Sequence, residues 1–150
     1  MLGMCEFELV RDEADGWVVV YPFGLDGATQ GRDYAEAAEM AADWLKTTLE
    51  YRMIYGEPLP KPTLGNEPQR GGRVLLVAVE VNLDSIDTVS AKDAAELLSV
   101  GKSRVSQMIK DGHLVGFKKG RDMHVTLDSI KARIAEKPKA GRPKRKTEDD

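Results

Sequence analysis

Apolar and polar residues in the first half of the chain follow the period of strands and then that of a helix. Residues 6–11 alternate imperfectly, which predicts a strand with one buried face. Residues 17–21 are β-branched or aromatic and stop at Pro22, so they predict the second strand of a hairpin whose turn is 12–16. Residues 28–31 predict a short third strand. Asp33 and Glu36 are spaced as a capping box, and apolar residues then keep helical spacing towards Tyr55, with Gly56 as the stop.

The middle of the chain combines a loop with the most apolar run. Residues 57–72 contain four prolines and three glycines, which predicts an exposed connection. Residues 74–81 are rich in valine, and we expect a central strand that is buried on both faces for much of its length. Residues 82–87 then form a short linker.

Two short helices joined by a tight turn follow this linker. Ser90 can cap the first helix, and the apolar residues at 94, 95, 97 and 98 fall on one helical face. The pattern breaks at 100–101, where Gly101 can cap the second helix. Val105, Met108 and Ile109 share a face of that helix, and Gly112 ends it.

The outer face of the second helix is polar and partly basic. Arginine can pair with guanine edges and glutamine with adenine edges in the major groove, while lysine and serine can hold phosphates. The alternative is an ordinary solvated face on a helical hairpin. The candidate DNA-binding residues are Lys102, Ser103, Arg104, Ser106, Gln107 and Lys110.

The segment after this helix favours DNA binding. Residues 114–117 and 123–126 predict two strands around a basic turn, 118–122, which forms a wing able to place Lys118, Lys119 and Arg121 on phosphates or in a minor groove. Thr126 begins a last helix, with Leu127, Ile130 and Ile134 expected to face inward. The block resembles the winged helix-turn-helix of the MerR and excisionase type, on residues 94–100 (AAELLSV) and 104–114 (RVSQMIKDGHL). We therefore place a DNA-binding domain at 88–135.

A basic tail, residues 136–150, completes the chain. Its Gly-Arg-Pro at 141–143 resembles the core of an AT-hook, although a disordered basic terminus without that role is the preferred interpretation. Either way, Arg142, Lys144 and Arg145 would add attraction to phosphates.

Charge divides the chain. The net charge of −3 combines −7 over residues 1–65, −2 over 66–87 and +6 over 88–150, which suggests a basic part for nucleic acid and an acidic part for a different partner, such as a basic protein. No apolar run is long enough for a membrane span, no secretory signal begins the chain, and Cys5 is alone, so a cytoplasmic location is expected. One cysteine and two histidines argue against a zinc site, and no cofactor is predicted.

The N-terminal half, residues 1–82, resembles the antitoxins of the HicB family. The resemblance rests on residues 16–22 (GWVVVYP), 24–27 (GLDG), 28–31 (ATQG), the alanine-rich helix and 56–62 (GEPLPKP). It implies an α+β chain whose N-terminal domain is a partial RNase H-like βββαβ fold, which blocks a small HicA-like mRNA interferase toxin. The residues it suggests for toxin contact are Tyr21, Phe23, Leu25, Asp26 and Thr29. The usual DNA-binding domains of that family are ribbon-helix-helix or Cro-like, so a winged domain departs from its pattern.

An enzyme is not expected. The carboxylates that a two-metal nuclease would gather, Asp12, Asp26, Asp33 and Asp43, fall in scattered elements. We expect an antitoxin that represses its own operon, as a homodimer or homotetramer because one winged helix reads only a half-site. The alternative is an excisionase-like or ligand-sensing transcriptional regulator without a toxin partner.

Overall fold

A computed structural model of the protein describes residues 1–136. The predicted tail contacts Arg142, Lys144 and Arg145 lie outside the described residues. The chain has a mixed α+β architecture and divides into two compact units, the first spanning Met1–Leu83 and the second starting at Asp84.

Unit 1 is a four-stranded antiparallel sheet with one long helix. Its elements are β1 (Leu2–Arg11), β2 (Val18–Pro22), β3 (Thr29–Gly31), α1 (Tyr34–Ile54) and β4 (Arg73–Glu80), and the strand order is β3-β2-β1-β4. The predicted hairpin, third strand, long helix and last strand are confirmed. Strand β1 begins four residues before the predicted start, because residues 2–5 pair with the end of β4.

The core of unit 1 lies between α1 and one face of the sheet. Phe7 and Leu9 alternate on β1 and pack with the α1 residues Ala41 and Leu45, all fully or nearly fully buried. The alanines let the helix approach the sheet closely. Gly31 has no room for a side chain, since a Cβ there would overlap the backbone of Ala37 in the first turn of α1.

Both ends of α1 are formed as its sequence indicates. The Asp33 carboxylate accepts a hydrogen bond from the Glu36 N–H at 2.8 Å, and the Glu36 carboxylate accepts one from the Arg32 N–H at 2.6 Å. Residue Tyr55 is the C-cap, and Gly56 follows with a φ of +66°. These contacts fix the point at which the chain leaves β3 and enters the helix.

The prediction that residues 74–81 form a central strand is wrong. The central strands are β1 and β2, whereas β4 lies at an edge of the sheet and pairs only with β1. Val77 is buried, but Leu76 beside it is 50% exposed. An apolar run therefore reflects a strand with one covered face and one exposed apolar face, which hydrophobicity alone does not distinguish from a central strand.

Unit 2 combines three helices with a small sheet. Its elements are β5 (Thr88–Ser90), α2 (Ala91–Leu98), α3 (Lys102–Lys110), β6 (Gly116–Lys119), β7 (Asp122–Thr126) and α4 (Leu127–Glu136), and the sheet order is β5-β7-β6. Strand β5 was not expected from the sequence. Its three residues pair with the C-terminal half of β7 and tie the start of the unit to the wing hairpin.

The core of unit 2 is small, and two apolar helix residues lie outside it. The buried residues include Ala94 on α2, Val105 and Met108 on α3, and Ile130 on α4. Ile134 is 46% exposed, so the inward orientation predicted for it is wrong, and Leu97 on α2 is 51% exposed. Each lies on a short helix that packs against the core along one side only, so an apolar residue beside that side remains exposed.

Within residues 1–136, no helix is both long enough and apolar enough to cross a membrane.

The edge position of β4 predicts opposite outcomes for neighbouring substitutions. Leu76→Lys should change the free energy of unfolding by less than about 1 kcal/mol, because the charge enters solvent. Val77→Lys should cost more than about 3 kcal/mol, because it places a charge in the core. Urea unfolding of both variants measures the difference, and equal losses would contradict the edge assignment.

Candidate functional site

A three-residue turn joins α2 to α3. The Ser90 hydroxyl accepts a hydrogen bond from the Asp93 N–H at 3.0 Å and so caps α2, as predicted. Ser99 closes α2 in the left-handed conformation, with a φ of 58°, and Gly101 is the N-cap of α3. The turn is thus one residue longer at its start than the break expected at 100–101. Helices joined in this way form a helix-turn-helix.

The burial of α3 determines which side chains face outward. Val105 and Met108 are buried against α2 and the rest of the unit. Helical periodicity then centres Ser103, Gln107 and Lys110 on the opposite, solvent-facing side. All six predicted DNA-binding residues of this helix are exposed: Lys102, Ser103, Arg104, Ser106, Gln107 and Lys110.

The wing is tighter than the sequence predicted. Lys119 pairs with Asp122, so the turn consists of Gly120 and Arg121 alone, with Gly120 at a φ of +66°. Lys118 and Lys119 are part of β6 and, as neighbours in a strand, lie on opposite faces of the hairpin. The Lys119 ammonium lies 5.7 Å from the centre of the Phe117 ring. Lys118 and the tip residue Arg121 are the exposed basic groups of the wing.

Close packing links the wing to α3 and α4. A Cβ on Gly116 would come within 2.8 Å of the Ile109 side chain at the end of α3, so the start of β6 packs directly against that helix. The Ser129 hydroxyl on α4 accepts a hydrogen bond from the Val115 N–H at 3.0 Å and donates one to the Thr126 carbonyl at 3.0 Å. These contacts hold the hairpin in place relative to the outer face of α3.

Two exposed acidic residues lie within or beside this basic surface, Asp111 after α3 and Asp122 after the wing tip. Residues 102–121 contain six lysines or arginines and a single carboxylate, Asp111. The amide nitrogen of Gln107 donates a hydrogen bond to the Asp111 carboxylate at 2.9 Å. Sequence analysis missed Asp111, although its spacing of four residues from Gln107 is the spacing of helix neighbours.

Comparison with known proteins gives a family match for the region that contains these elements. The family described as "DNA-binding protein Rv2175c, wHTH domain" matches residues 77–126, a third of the chain, which includes α2, α3 and the wing. Unit 2 therefore contains a winged helix-turn-helix domain. A solved "Toxin-Antitoxin complex from Streptococcus pneumoniae" is similar at a TM-score of 0.49 and 18% identity, over 75% of this chain and 99% of that chain. Similarity at this level does not identify a function. No curated protein matches the chain.

The proline- and glycine-rich loop of unit 1 is held across the sheet by two carboxylates. We call residues 63–72 the strap. The Glu8 carboxylate accepts hydrogen bonds from the backbone N–H groups of Gln69, Arg70 and Gly72 at 2.8 to 2.9 Å. Glu6 accepts from the backbone of Gly65 and Asn66 and from the Asn66 side chain. The expected exposed connection is therefore attached to the sheet at both ends of the strap.

The strap covers the face of β1 that points away from α1. Glu6 and Glu8 alternate with Phe7 and Leu9, and all four side chains are buried, so β1 is covered on both faces over residues 6–9. Burial raises the pKa of the Glu8 carboxyl, but its backbone donors and the nearby Arg70 charge lower that pKa further, with a net decrease. The hydrogen bonds from Asn66 and Gly65 lower the pKa of Glu6.

The candidate toxin contacts do not form one surface. Tyr21 lies on the strap side, with the Arg70 guanidinium 4.0 Å above its ring. Phe23 is half-buried, and its N–H bonds to the Glu6 carbonyl. Leu25 packs against the core, and Thr29 begins β3 opposite Val20, whereas Asp26 is exposed. Asp26 alone among these five is fully available to a partner.

An exposed apolar patch lies beside the strap on the same face of the sheet. Leu2 is 59% exposed and Leu76 is 50% exposed. Met4 and Ala78, paired across β1 and β4, are also exposed there. We call these four residues the β1–β4 patch. Nothing in the pattern of residues indicated this patch separately, because the same residues were assigned to a buried strand or to the chain start.

Among the described residues, no group of three or more His, Cys, Asp or Glu side chains is placed to hold a metal ion.

The strap predicts a specific effect of Glu8→Gln. At pH 7 the amide leaves buried N–H groups without an acceptor, which should lower the free energy of unfolding by about 2 to 4 kcal/mol. The amides of Gln69, Arg70 and Gly72 should lose protection in hydrogen exchange. Glu39→Gln on the exposed side of α1 is the control, with an expected change below about 0.5 kcal/mol.

The same contacts predict acid sensitivity. The folded-state pKa of Glu6 and of Glu8 is below the ordinary 4.5, so the stabilisation is complete above that value and is lost as the pH falls through the lower folded-state pKa. Urea unfolding between pH 7 and pH 3 should show a smaller loss of stability for Glu8→Gln than for the wild type. An identical pH dependence would show that the strap contacts contribute nothing.

Proposed function

We propose that the protein is a sequence-specific DNA-binding transcriptional regulator that acts through α3 and the wing. The observation that supports this most directly is the outer face of α3, which exposes Arg104, Gln107 and Lys110 while Val105 and Met108 anchor the helix. An exposed arginine and glutamine on such a helix match the hydrogen-bonding edges of guanine and adenine. The matched family is also described as DNA-binding.

The wing supplies phosphate contacts beside this helix. Lys118 and Arg121 are exposed and add two positive charges to the three that α3 carries on Lys102, Arg104 and Lys110. Phosphate contacts position a protein on DNA, and base contacts on α3 provide the specificity. Since one winged helix covers only a half-site, we propose that the operator is bound by a dimer or tetramer.

For unit 1 we propose a protein-binding role, that of an antitoxin of the HicB type which blocks a small basic HicA-like ribonuclease. The motifs at 16–31 and the βββαβ order of a partial RNase H-like fold support this assignment. Unit 1 carries 7 basic and 14 acidic residues, a net charge of −7 that would attract a basic partner. Asp26 and the β1–β4 patch are the exposed groups that such a partner would meet.

We propose no catalytic activity for the chain. Of the four carboxylates that metal-dependent hydrolysis would need to gather, Asp12 accepts a backbone N–H group in the hairpin turn and Asp33 caps α1, while Asp26 lies in the loop before β3 and Asp43 lies on α1. The second candidate function, an excisionase-like or ligand-sensing regulator without a toxin, shares unit 2 and differs in the role of unit 1. The neighbouring reading frame distinguishes them, since an antitoxin is expected beside a small basic ribonuclease and an excisionase beside an integrase.

The DNA-binding proposal predicts two distinct classes of variant. Arg104→Ala with Gln107→Ala should weaken binding to a selected duplex by about tenfold or more, because each base pair contact contributes about 1 to 3 kcal/mol of discrimination. Lys118→Ala should weaken binding to all sequences alike and reduce the salt slope by about 1. Fluorescence anisotropy at several salt concentrations measures both effects, with Lys131→Ala on α4 as the control. Sequence preference that survives the double substitution would exclude α3 as the reading element.

The antitoxin proposal predicts that Leu76→Lys separates binding from folding. The variant should remain folded but lose complex formation with the small basic protein encoded next to it, because lysine places a like charge and a hydrophilic group on the patch. Co-purification and growth rescue on co-expression measure this loss. Met40→Lys, an equally apolar exposed position on α1, is the control. Full rescue by Leu76→Lys would remove the β1–β4 patch from the interface.

A further inference from the structure

The pair formed by Gln107 and Asp111 is the feature of unit 2 that neither helix stability nor phosphate binding explains. Asp111 is the C-cap of α3, and its carboxylate accepts the Gln107 amide hydrogen at 2.9 Å. Both side chains are exposed, and Gln107 lies near the centre of the outer face. A contact at this position lies on the side of α3 that would face bound DNA.

Local energetics do not favour an acidic residue here. The C-terminal end of a helix carries partial negative charge, so a carboxylate at that end is repelled where a lysine or arginine would be attracted. A Gln–Asp contact one turn apart offsets this only in part, since such surface pairs are weak. The carboxylate also opposes the six basic residues of segment 102–121 in attracting phosphates.

The chemistry of the contact points to a role in reading a base. A carboxylate only accepts hydrogen bonds, so it holds the NH₂ group of Gln107 towards Asp111 and fixes the direction of the carbonyl oxygen. One N–H is sufficient for Asp111. The second N–H and the carbonyl oxygen remain, and they are the donor and acceptor that the N7 and N6 groups of adenine require.

We infer that Asp111 is a positioning residue that presents the Gln107 amide in the orientation for adenine. The inference rests on the proposed DNA binding by α3. Without Asp111, the amide can rotate or flip and must be ordered at the moment of binding, which lowers the preference for adenine by about two- to tenfold. Asp111 itself contacts no base, and its effect passes entirely through Gln107.

The test compares two duplexes on the full-length chain. Selection from a random duplex library first defines the preferred site, and each selected adenine is then replaced in turn by 7-deazaadenine, which lacks the N7 acceptor. The ratio of dissociation constants for the two duplexes is measured for the wild type, Gln107→Ala, Asp111→Ala and Asp128→Ala. Asp128 is an exposed acidic residue of α4 and controls for the removal of one negative charge. Because each ratio uses one protein preparation, a loss of folded protein cancels.

At one adenine, the wild type and Asp128→Ala should show the same ratio of dissociation constants between the two duplexes. Gln107→Ala should show a ratio near one. Asp111→Ala should show an intermediate ratio, about two- to tenfold below that of the wild type. If Asp111→Ala shows the same ratio as the wild type, the inference is overturned. It is also overturned if the selected site contains no adenine whose recognition depends on Gln107. A wild type that selects no preferred duplex would instead contradict the proposed function itself.

Discussion

The burial of Val105 and Met108 is the constraint on which the rest of unit 2 depends. A nine-residue helix has one face to bury, and once these two side chains enter the small core, the orientation of every other residue of α3 is set. Gly116 then lets the wing approach Ile109, and Ser129 fixes the chain between α3 and the hairpin. The outer face of α3 and the exposed tip of the wing are consequences of this packing.

In unit 1, buried carboxylates rather than apolar side chains hold a segment of the chain against the sheet. Strand β1 is central in the sheet, and α1 covers only the side of Phe7 and Leu9. On the other side, Glu6 and Glu8 accept hydrogen bonds from the backbone of the strap, a segment with Pro68 and three glycines that lies in neither a strand nor a helix. Hydrogen bonds to buried carboxylates thus satisfy backbone groups that a loop on a sheet would otherwise leave unpaired.

The sequence predicts the helices and strands of this protein better than it predicts which elements pack or pair with one another. The period of apolar residues, the caps at Ser90 and Asp33 and the stop at Gly112 are local signals, and the helices and most strands follow from them. The position of β4 at an edge, the pairing of β5 with β7 and the attachment of the strap to Glu8 depend on contacts between distant residues. An alternating Glu-Phe-Glu-Leu run indicates a strand with a polar outer face equally well whether that face meets water or a loop.

The candidate DNA-binding residues also divide into those placed by local spacing and those placed by contacts between distant residues. Helical spacing predicts the outward orientation of the six residues of α3, whereas the two-residue turn of the wing and the opposite faces of Lys118 and Lys119 depend on the register of β6 and β7. The sequence does not single out Asp111, because one acidic residue in a basic segment has no pattern that distinguishes it from other surface residues. Its hydrogen bond to Gln107 links two side chains on the exposed side of α3 and its C-cap.

Nuclear magnetic resonance of the ¹⁵N-labelled full-length chain, titrated with a duplex obtained by selection, tests the central claim most directly. Binding through α3 and the wing predicts that the largest amide shifts fall within residues 102–111 and 118–121, with small shifts in β1 and α1. Shifts concentrated in unit 1, or equal shifts with a duplex of unrelated sequence, would contradict sequence-specific recognition by α3.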